Sequence, residues 1–111
     1  MGLTRTALFN EKQNELAKVA KAIAHPARIA IIERLLETEH CINSDLVDEL
    51  GLAQATISQH LRELKDSGLI QGTIEGVRMS YCINPTKWKA LQYELSQFFD
   101  RYPADQLPNC C

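Results

Sequence analysis

The chain has 111 residues, of which 45% are hydrophobic, and a formal net charge of -2 at pH 7. This length suits one domain with a modest core, so part of the apolar surface is expected to be buried between subunits. The apolar runs are shorter than the roughly 18 residues that a membrane-spanning helix needs, and residues 1–10 lack the features of a signal peptide. We therefore expect a cytoplasmic protein that does not bind membranes and whose four cysteines are reduced thiols.

The first two predicted helices meet at Pro26. Apolar residues with the spacing of one helical face predict a first helix that ends near Ile23, and they are Leu16, Val19, Ala20 and Ile23. Proline disfavours helical backbone in the residue before it and suits the first turn of a helix, so Pro26 is predicted to begin a second helix that runs to about Glu39. The predicted buried stripe of that helix is Ile29, Ile32, Leu35 and Leu36.

Two further helices are predicted before the first strand. After a connector at residues 40–42, Asn43 or Ser44 can cap a third helix, which Gly51 ends. A fourth helix is predicted from about Gln54 to Ser67, followed by Gly68 as its stop. Its apolar stripe is Ile57, Leu61 and Leu64.

A β-hairpin and a last helix follow. Residues 69–74 and 77–84 are short runs separated by Glu75 and Gly76, and the second run alternates between apolar and polar side chains, which is typical of a hairpin. Pro85 is predicted to begin the last helix and Pro103 to end it. The apolar stripe of this helix is Trp88, Leu91, Leu95, Phe98, Phe99 and Tyr102. The predicted fold is mainly α with a small β-hairpin wing, in the order of four helices, two strands and one helix.

The fourth helix is a candidate DNA-reading helix. A short helix, a tight turn around Gly51 and Leu52, a second helix and a hairpin are the parts of a winged helix-turn-helix, whose second helix lies in the major groove. Glutamine can pair with adenine and arginine with guanine, and the threonine methyl group can contact thymine. The candidate DNA-binding residues on this helix are Gln54, Thr56, Ser58, Gln59, His60 and Arg62. Arg78, near the hairpin tip, is the candidate wing residue for the minor groove or a phosphate. The alternative for both surfaces is an ordinary solvated polar face.

Three segments resemble the arsenical-resistance repressor family, also called the ArsR/SmtB family. Residues 53–70 resemble the family's recognition-helix signature, residues 25–28 (His-Pro-Ala-Arg) resemble the start of its second helix, and residues 75–81 resemble its wing. The resemblance covers roughly residues 16–99, and its motifs agree in order and spacing. Ala53 is a departure, because a capping serine is common there and alanine caps poorly, at a cost of about 1 kcal/mol.

The resemblance implies a homodimeric transcriptional repressor that binds an inverted-repeat operator in double-stranded DNA. It also implies that the first and last helices form the dimer interface, to which the apolar stripe of the last helix is suited. The alternative for that stripe is a purely intramolecular core. We expect a single winged helix-turn-helix domain over residues 1–111, in which residues 102–111 form a flexible tail.

The resemblance further implies an effector that releases the DNA. Residues 85–111 contain no histidine, which disfavours the family's zinc site on the last helix. Cys41 matches one thiolate of the family's Cys-x-Cys site, whereas Asn43 stands at the position of the second. Cys110 and Cys111 resemble the vicinal C-terminal cysteines of arsenic-responsive relatives, and thiolates suit soft metals and metalloids. The expected effector is arsenite or another thiophilic species, held by Cys110, Cys111 and Cys41, and no obligatory cofactor is expected.

Two other functions stay open. The first is the same repressor with a redox or sulfide input, in which Cys41 pairs with Cys110 or Cys111, or with no small effector at all. The second is a winged-helix module that binds protein, which the near balance of charges over residues 54–78 supports. An enzyme is not expected, because the sequence shows no paired carboxylates, nucleophile–base set or phosphate loop.

Overall fold

The computed structural model describes residues 8–38, 50–75, 78–105 and 107–108, with residues 74, 75, 78 and 79 described by their backbone alone. The elements in chain order are α1 (Glu11–Ala22), α2 (Pro26–Glu37), α3 (Gln54–Ser67), β1 (Ile70–Glu75), β2 (Arg78–Ile83) and α4 (Pro85–Asp100). The helix predicted after the connector lies outside the described residues, except for Leu50. α3 and α4 therefore correspond to the fourth and last helices predicted from the sequence.

Helix α1 begins at a complete capping box. The Asn10 side chain accepts from the Gln13 amide at 2.8 Å, and the Gln13 side chain accepts from the Asn10 amide at 3.0 Å, so two helix-end donors are satisfied. The predicted apolar face is partly wrong. Val19 and Ala22 are buried, whereas Ala20 is exposed, because the core lies on the side of the helix that carries Ala22.

Helix α2 begins at Pro26, as predicted, with His25 as its cap. It ends at Glu37 rather than Glu39, because Thr38 already has extended backbone. The predicted stripe is half right. Ile32 and Leu35 are buried and Ile31 joins them, but Ile29 and Leu36 are 41% and 55% exposed. The core therefore contacts the face centred on Ile31 and Leu35, and the other two side chains lie to either side of it.

The two strands form the predicted hairpin, with bounds that differ by about a residue. They pair antiparallel in a register that runs from Ile70 opposite Ile83 to Glu75 opposite Arg78. Tyr81 is only 1% exposed and fixes one face of the hairpin on the core. Gly72 lies opposite Tyr81, with φ at +146°, a conformation that side chains rarely adopt.

Helix α4 begins at Pro85, and the Asn84 side chain before it accepts from the Lys87 amide at 3.2 Å as the N-cap. The core lies where α4, α1, α2, α3 and the hairpin meet, and its largest fully buried members are Tyr81, Ile31, Ile57, Leu61, Leu64, Ile70 and Val19. Among the described helices, none combines the length and the apolar character needed to cross a bilayer. The helices followed by a two-stranded antiparallel wing confirm the predicted fold class.

Candidate nucleic-acid interface

Helix α3 has the predicted bounds, and its two ends differ chemically. Ala53 precedes it with extended backbone but, being alanine, makes no side-chain cap. Gly68 ends it in the left-handed region at φ +92°, where glycine is favoured. The predicted stripe of Ile57, Leu61 and Leu64 is fully buried, at 0% exposure for each side chain. One side of α3 is thus fixed to the core, and the opposite side faces solvent.

The solvent-facing side of α3 carries part of the predicted DNA-binding set. Thr56, Gln59 and Arg62 are exposed and Gln54 is half-buried. The first three are spaced at i, i+3 and i+6, so they lie along one side of the helix. Gln59 Nε2 donates to Glu63 Oε1 at 3.3 Å, which places an acidic group on the same surface. We call Thr56, Gln59 and Arg62 the α3 outer face.

Two residues of the predicted set do not face solvent. Ser58 and His60 are 7% and 8% exposed, so the expectation that they belong to the exposed face is wrong. His60 lies three residues after Ile57 and four before Leu64, which puts it on the buried side of the helix. Ser58 lies three residues before Leu61, at the other margin of the same stripe. The spacing rule that identified the stripe could have identified both residues.

His60 makes two contacts on the buried side of α3 with residues distant in the sequence, which helical spacing cannot predict. His60 Nδ1 accepts from Arg28 Nε at 3.0 Å, and the ring centroids of His60 and His25 are 4.4 Å apart. Burial lowers the pKa of His60 below 6.5, and the neighbouring His25 and Arg28 side chains lower it further, while Glu63 acts in the opposite direction. The segment that resembles the family's second-helix motif therefore contacts α3 directly.

The wing carries the remaining candidate, Arg78. Its backbone pairs with Glu75 at the end of the ladder, and its side chain lies outside the described residues. Beneath the wing, the Tyr81 hydroxyl is buried without a hydrogen-bond partner among the described residues. Burial raises the pKa of Tyr81 above 10.0, and the charge of Arg62 partly opposes this.

A second surface of note is apolar. α1, α2 and α4 surround an open cavity of about 430 Å³, lined by residues that include Ile23, Trp88 and Leu95. The last helix is predicted to carry a wide apolar stripe, yet Leu91, 9% exposed, is the one residue of α4 that is buried in the single chain. Phe98, Phe99 and Tyr102 are 49%, 69% and 56% exposed. The helix ends at Asp100, before the predicted stop at Pro103. We call Phe98 and Phe99 on α4, together with Tyr102 just beyond it, the α4 aromatic edge.

The residues of the predicted thiolate site lie outside the part of the chain that the structure describes. Cys41, Cys110 and Cys111 all lie outside the described residues, as does His40. Cys82 is described and half-buried, and its sulfur accepts from Gln71 Nε2 at 3.8 Å. Over the described ranges, no three histidine, cysteine or acidic side chains come close enough together to hold a metal ion.

Helices followed by a two-stranded hairpin, with a polar outer face on the helix before the hairpin, define a winged-helix protein. The model of the family described as "Bacterial regulatory protein, arsR family" matches residues 25–71. The HTH-type transcriptional regulator CmtR of Mycobacterium bovis is 30% identical over 95 residues, which are 86% of this chain and 80% of that protein. The chain belongs to the arsR family of bacterial regulatory proteins.

Two further comparisons agree with this assignment. The HTH-type transcriptional repressor SmtB of Mycobacterium tuberculosis is 39% identical over 64 residues, which are 58% of this chain and 47% of that protein, so the match spans about half of that relative's length. The solved structure of HlyU from Vibrio cholerae superposes with a TM-score of 0.61 at 26% identity, covering 83% of this chain and 99% of that one. The family is one of regulators, which confirms the expectation that the chain is not an enzyme.

Proposed function

We propose that this chain is a transcriptional repressor that binds double-stranded DNA by placing α3 in the major groove. The observation that carries the proposal is the α3 outer face, where three polar side chains project from a helix whose opposite side is fixed by fully buried residues. A rigidly held helix with exposed base-reading groups is what groove recognition requires. The names of SmtB, a repressor, and CmtR, a regulator, support this proposal.

The chemistry of the proposed contacts follows from the side chains. Arg62 suits a guanine or a phosphate, Gln59 suits an adenine, and Thr56 suits a thymine methyl group or a phosphate. Gln54 at the helix start and Arg78 on the wing complete the proposed set. Gln59 must leave Glu63 to pair with a base, which its exposed position permits. Buried Ser58 and His60 are not proposed as direct contacts.

The function is tested by selecting bound duplexes from a random DNA library with the whole chain, then measuring affinity for the selected duplex against salt. A repressor recovers an inverted repeat and loses affinity steeply as salt rises, because bound counterions are released from the phosphates. Recovery of no sequence, together with salt-independent weak binding, would contradict the proposal. That result would favour a protein-binding module, to which the exposed mixed charges of Arg62, Glu63, Lys65 and Asp66 would also be suited.

We further propose that the protein is a homodimer joined through α1 and α4. The α4 aromatic edge and the adjoining cavity leave apolar surface uncovered in the single chain, and a second copy would remove it from water. Two α3 helices related by a twofold axis fit an inverted repeat. Phe99→Glu is expected to give a monomer in sedimentation while remaining folded, since Phe99 is 69% exposed. Leu36→Glu, at an exposed apolar residue on α2, is the matched control and should leave a dimer.

For the effector we propose arsenite or another thiophilic species, bound by Cys110, Cys111 and Cys41. The support comes from thiolate chemistry and from the vicinal cysteine pair in the sequence. Arsenite should release the selected duplex from the unaltered protein and not from Cys110→Ser/Cys111→Ser, while Cys82→Ser serves as the control that keeps release. Release by a persulfide donor but not by arsenite would favour the redox or sulfide input instead. Release that persists in the double variant would contradict the terminal site.

A further inference from the structure

The guanidinium of Arg28 joins three helices on the buried side of α3. Arg28, in the first turn of α2, donates from Nε to His60 Nδ1 on α3 at 3.0 Å. Its Nη1 donates to the carbonyl oxygen of Ala22 at 3.1 Å and to that of Lys21 at 3.5 Å, both at the end of α1. The last carbonyls of a helix lack partners within the helix and attract positive charge. Arg28 therefore satisfies the end of α1 and holds α3 with the same group.

Both imidazoles at this junction use Nδ1 as an acceptor. His25 Nδ1 accepts from the Ala27 amide at 3.0 Å and so caps α2, while His60 Nδ1 accepts from Arg28. The two rings lie in contact, with centroids 4.4 Å apart. An imidazole that accepts at Nδ1 is neutral and carries its proton on Nε2. A second proton would turn the acceptor into a donor and break the hydrogen bond that this atom makes.

The surroundings of His60 oppose a positive charge. The side chain is 8% exposed, and burial lowers its pKa, as do His25, the cap of α2, and Arg28 in the first turn of α2. Glu63, one turn further along α3, is the acidic group that raises this pKa, and its effect is the smallest of the four. A protonated ring would also direct an Nδ1–H at the N–H of Arg28. The junction is therefore built for a neutral His60.

We propose that Arg28 and His60 are positioning residues for α3, and that a proton on His60 releases this helix from α1 and α2 and weakens DNA binding. The proposal rests on the proposed DNA-binding function. Neither residue contacts DNA in this account, because His60 faces inward. They act by fixing the direction in which the α3 outer face points relative to α1 and α2.

The sign of the pH effect separates this proposal from a simple charge effect. Protonation adds positive charge, which by itself strengthens attraction to phosphates. A histidine that acted through charge alone would therefore make binding tighter in acid. Release of the Arg28–His60 link makes binding weaker in acid, so the two mechanisms predict opposite slopes.

A DNA duplex is first selected at pH 8. Its affinity for the protein is then measured between about pH 5.5 and 7.5, where histidine is the side chain that ordinarily titrates. We expect the unaltered protein to bind about tenfold more weakly at the acid end, a difference of ~1.4 kcal/mol. His60→Asn keeps an acceptor near the Nδ1 position without a titrating ring, and should bind with a flat pH profile. His40→Gln is the matched control, since it removes the one histidine outside the junction, and should keep the profile of the unaltered protein.

Each other outcome is decisive. Affinity that is constant or rises in acid, or a fall that persists in His60→Asn, would overturn the proposal. If the chain binds no DNA at any pH, the proposed function fails separately, and NMR titration of the free protein decides the inference. The NMR signals of the protein's three imidazoles are assigned by substituting one histidine at a time. A His60 ring that titrates below 6.5 together with loss of the Arg28 Nε–H signal supports the link, and an ordinary titration that leaves this signal in place refutes it.

Discussion

Gly72 lies so close to the carbonyl oxygen of Ser80 on the facing strand that a β-carbon at residue 72 would overlap it. The overlap involves backbone rather than the end of a flexible side chain, so it cannot be relieved without moving a strand of the wing. The backbone of Gly72 is also in a conformation, φ +146°, that disfavours any side chain. Wing geometry therefore depends on this glycine.

Gly72→Ala should lower the free energy of unfolding by at least about 2 kcal/mol, because both strain and overlap must be relieved. Gly51→Ala is the matched control. Gly51 also has positive φ, at +69°, but a β-carbon there meets no described atom within 4 Å, so the cost should be only about 1 kcal/mol. Chemical denaturation of both variants measures the difference. Equal costs would show that the strands separate easily at residue 72.

Tyr81→Phe should stabilise the protein. The Tyr81 ring is buried in the core while its hydroxyl lacks a hydrogen-bond partner among the described residues. Removing an unsatisfied buried hydroxyl while keeping the ring should raise the free energy of unfolding by up to about 1 kcal/mol. Denaturant unfolding tests this. A loss of about 1 kcal/mol would instead mean that the hydroxyl has a partner in the folded protein.

Stability should fall in mild acid because of His60. Its pKa is lowered in the folded state, so below 6.5 the unfolded chain takes up a proton that the folded chain resists. The contribution is fully present above 6.5 and is lost as the pH falls from there through the lowered pKa of the folded protein. His60→Asn should remove this part of the slope in denaturation midpoints measured against pH. If His60→Asn leaves the slope unchanged, the pH dependence of stability comes from other titrating groups.

The local part of the fold could be predicted from the sequence. The bounds of α3 follow from a periodic apolar stripe and from Gly68, and Pro26 and Pro85 mark where α2 and α4 begin. These signals act within a few residues of where they appear. The hairpin was likewise predictable from alternation around a glycine-containing turn, although the strand bounds depend on register, which local composition does not determine.

Which side of each helix is buried was less predictable. Ala20, Ile29 and Leu36 were expected in the core and are exposed, because the position of neighbouring elements decides which part of a broad apolar face is covered. The Arg28–His60 hydrogen bond joins residues 32 positions apart, a pairing that periodicity cannot show. The burial of His60 could be predicted from its spacing to Ile57 and Leu64, whereas its partner on α2 could not.

If the α3 outer face binds DNA bases, Gln59→Ala and Arg62→Ala should both bind the selected duplex more weakly than the unaltered chain. Arg62→Ala should cost about 1–3 kcal/mol and relax specificity at one base pair, or weaken all sequences alike if the contact is a phosphate. Lys18→Ala, which removes the same charge from an exposed residue on α1, should leave affinity nearly unchanged. Folded Gln59→Ala and Arg62→Ala proteins that bind as tightly as the unaltered chain would contradict the claim.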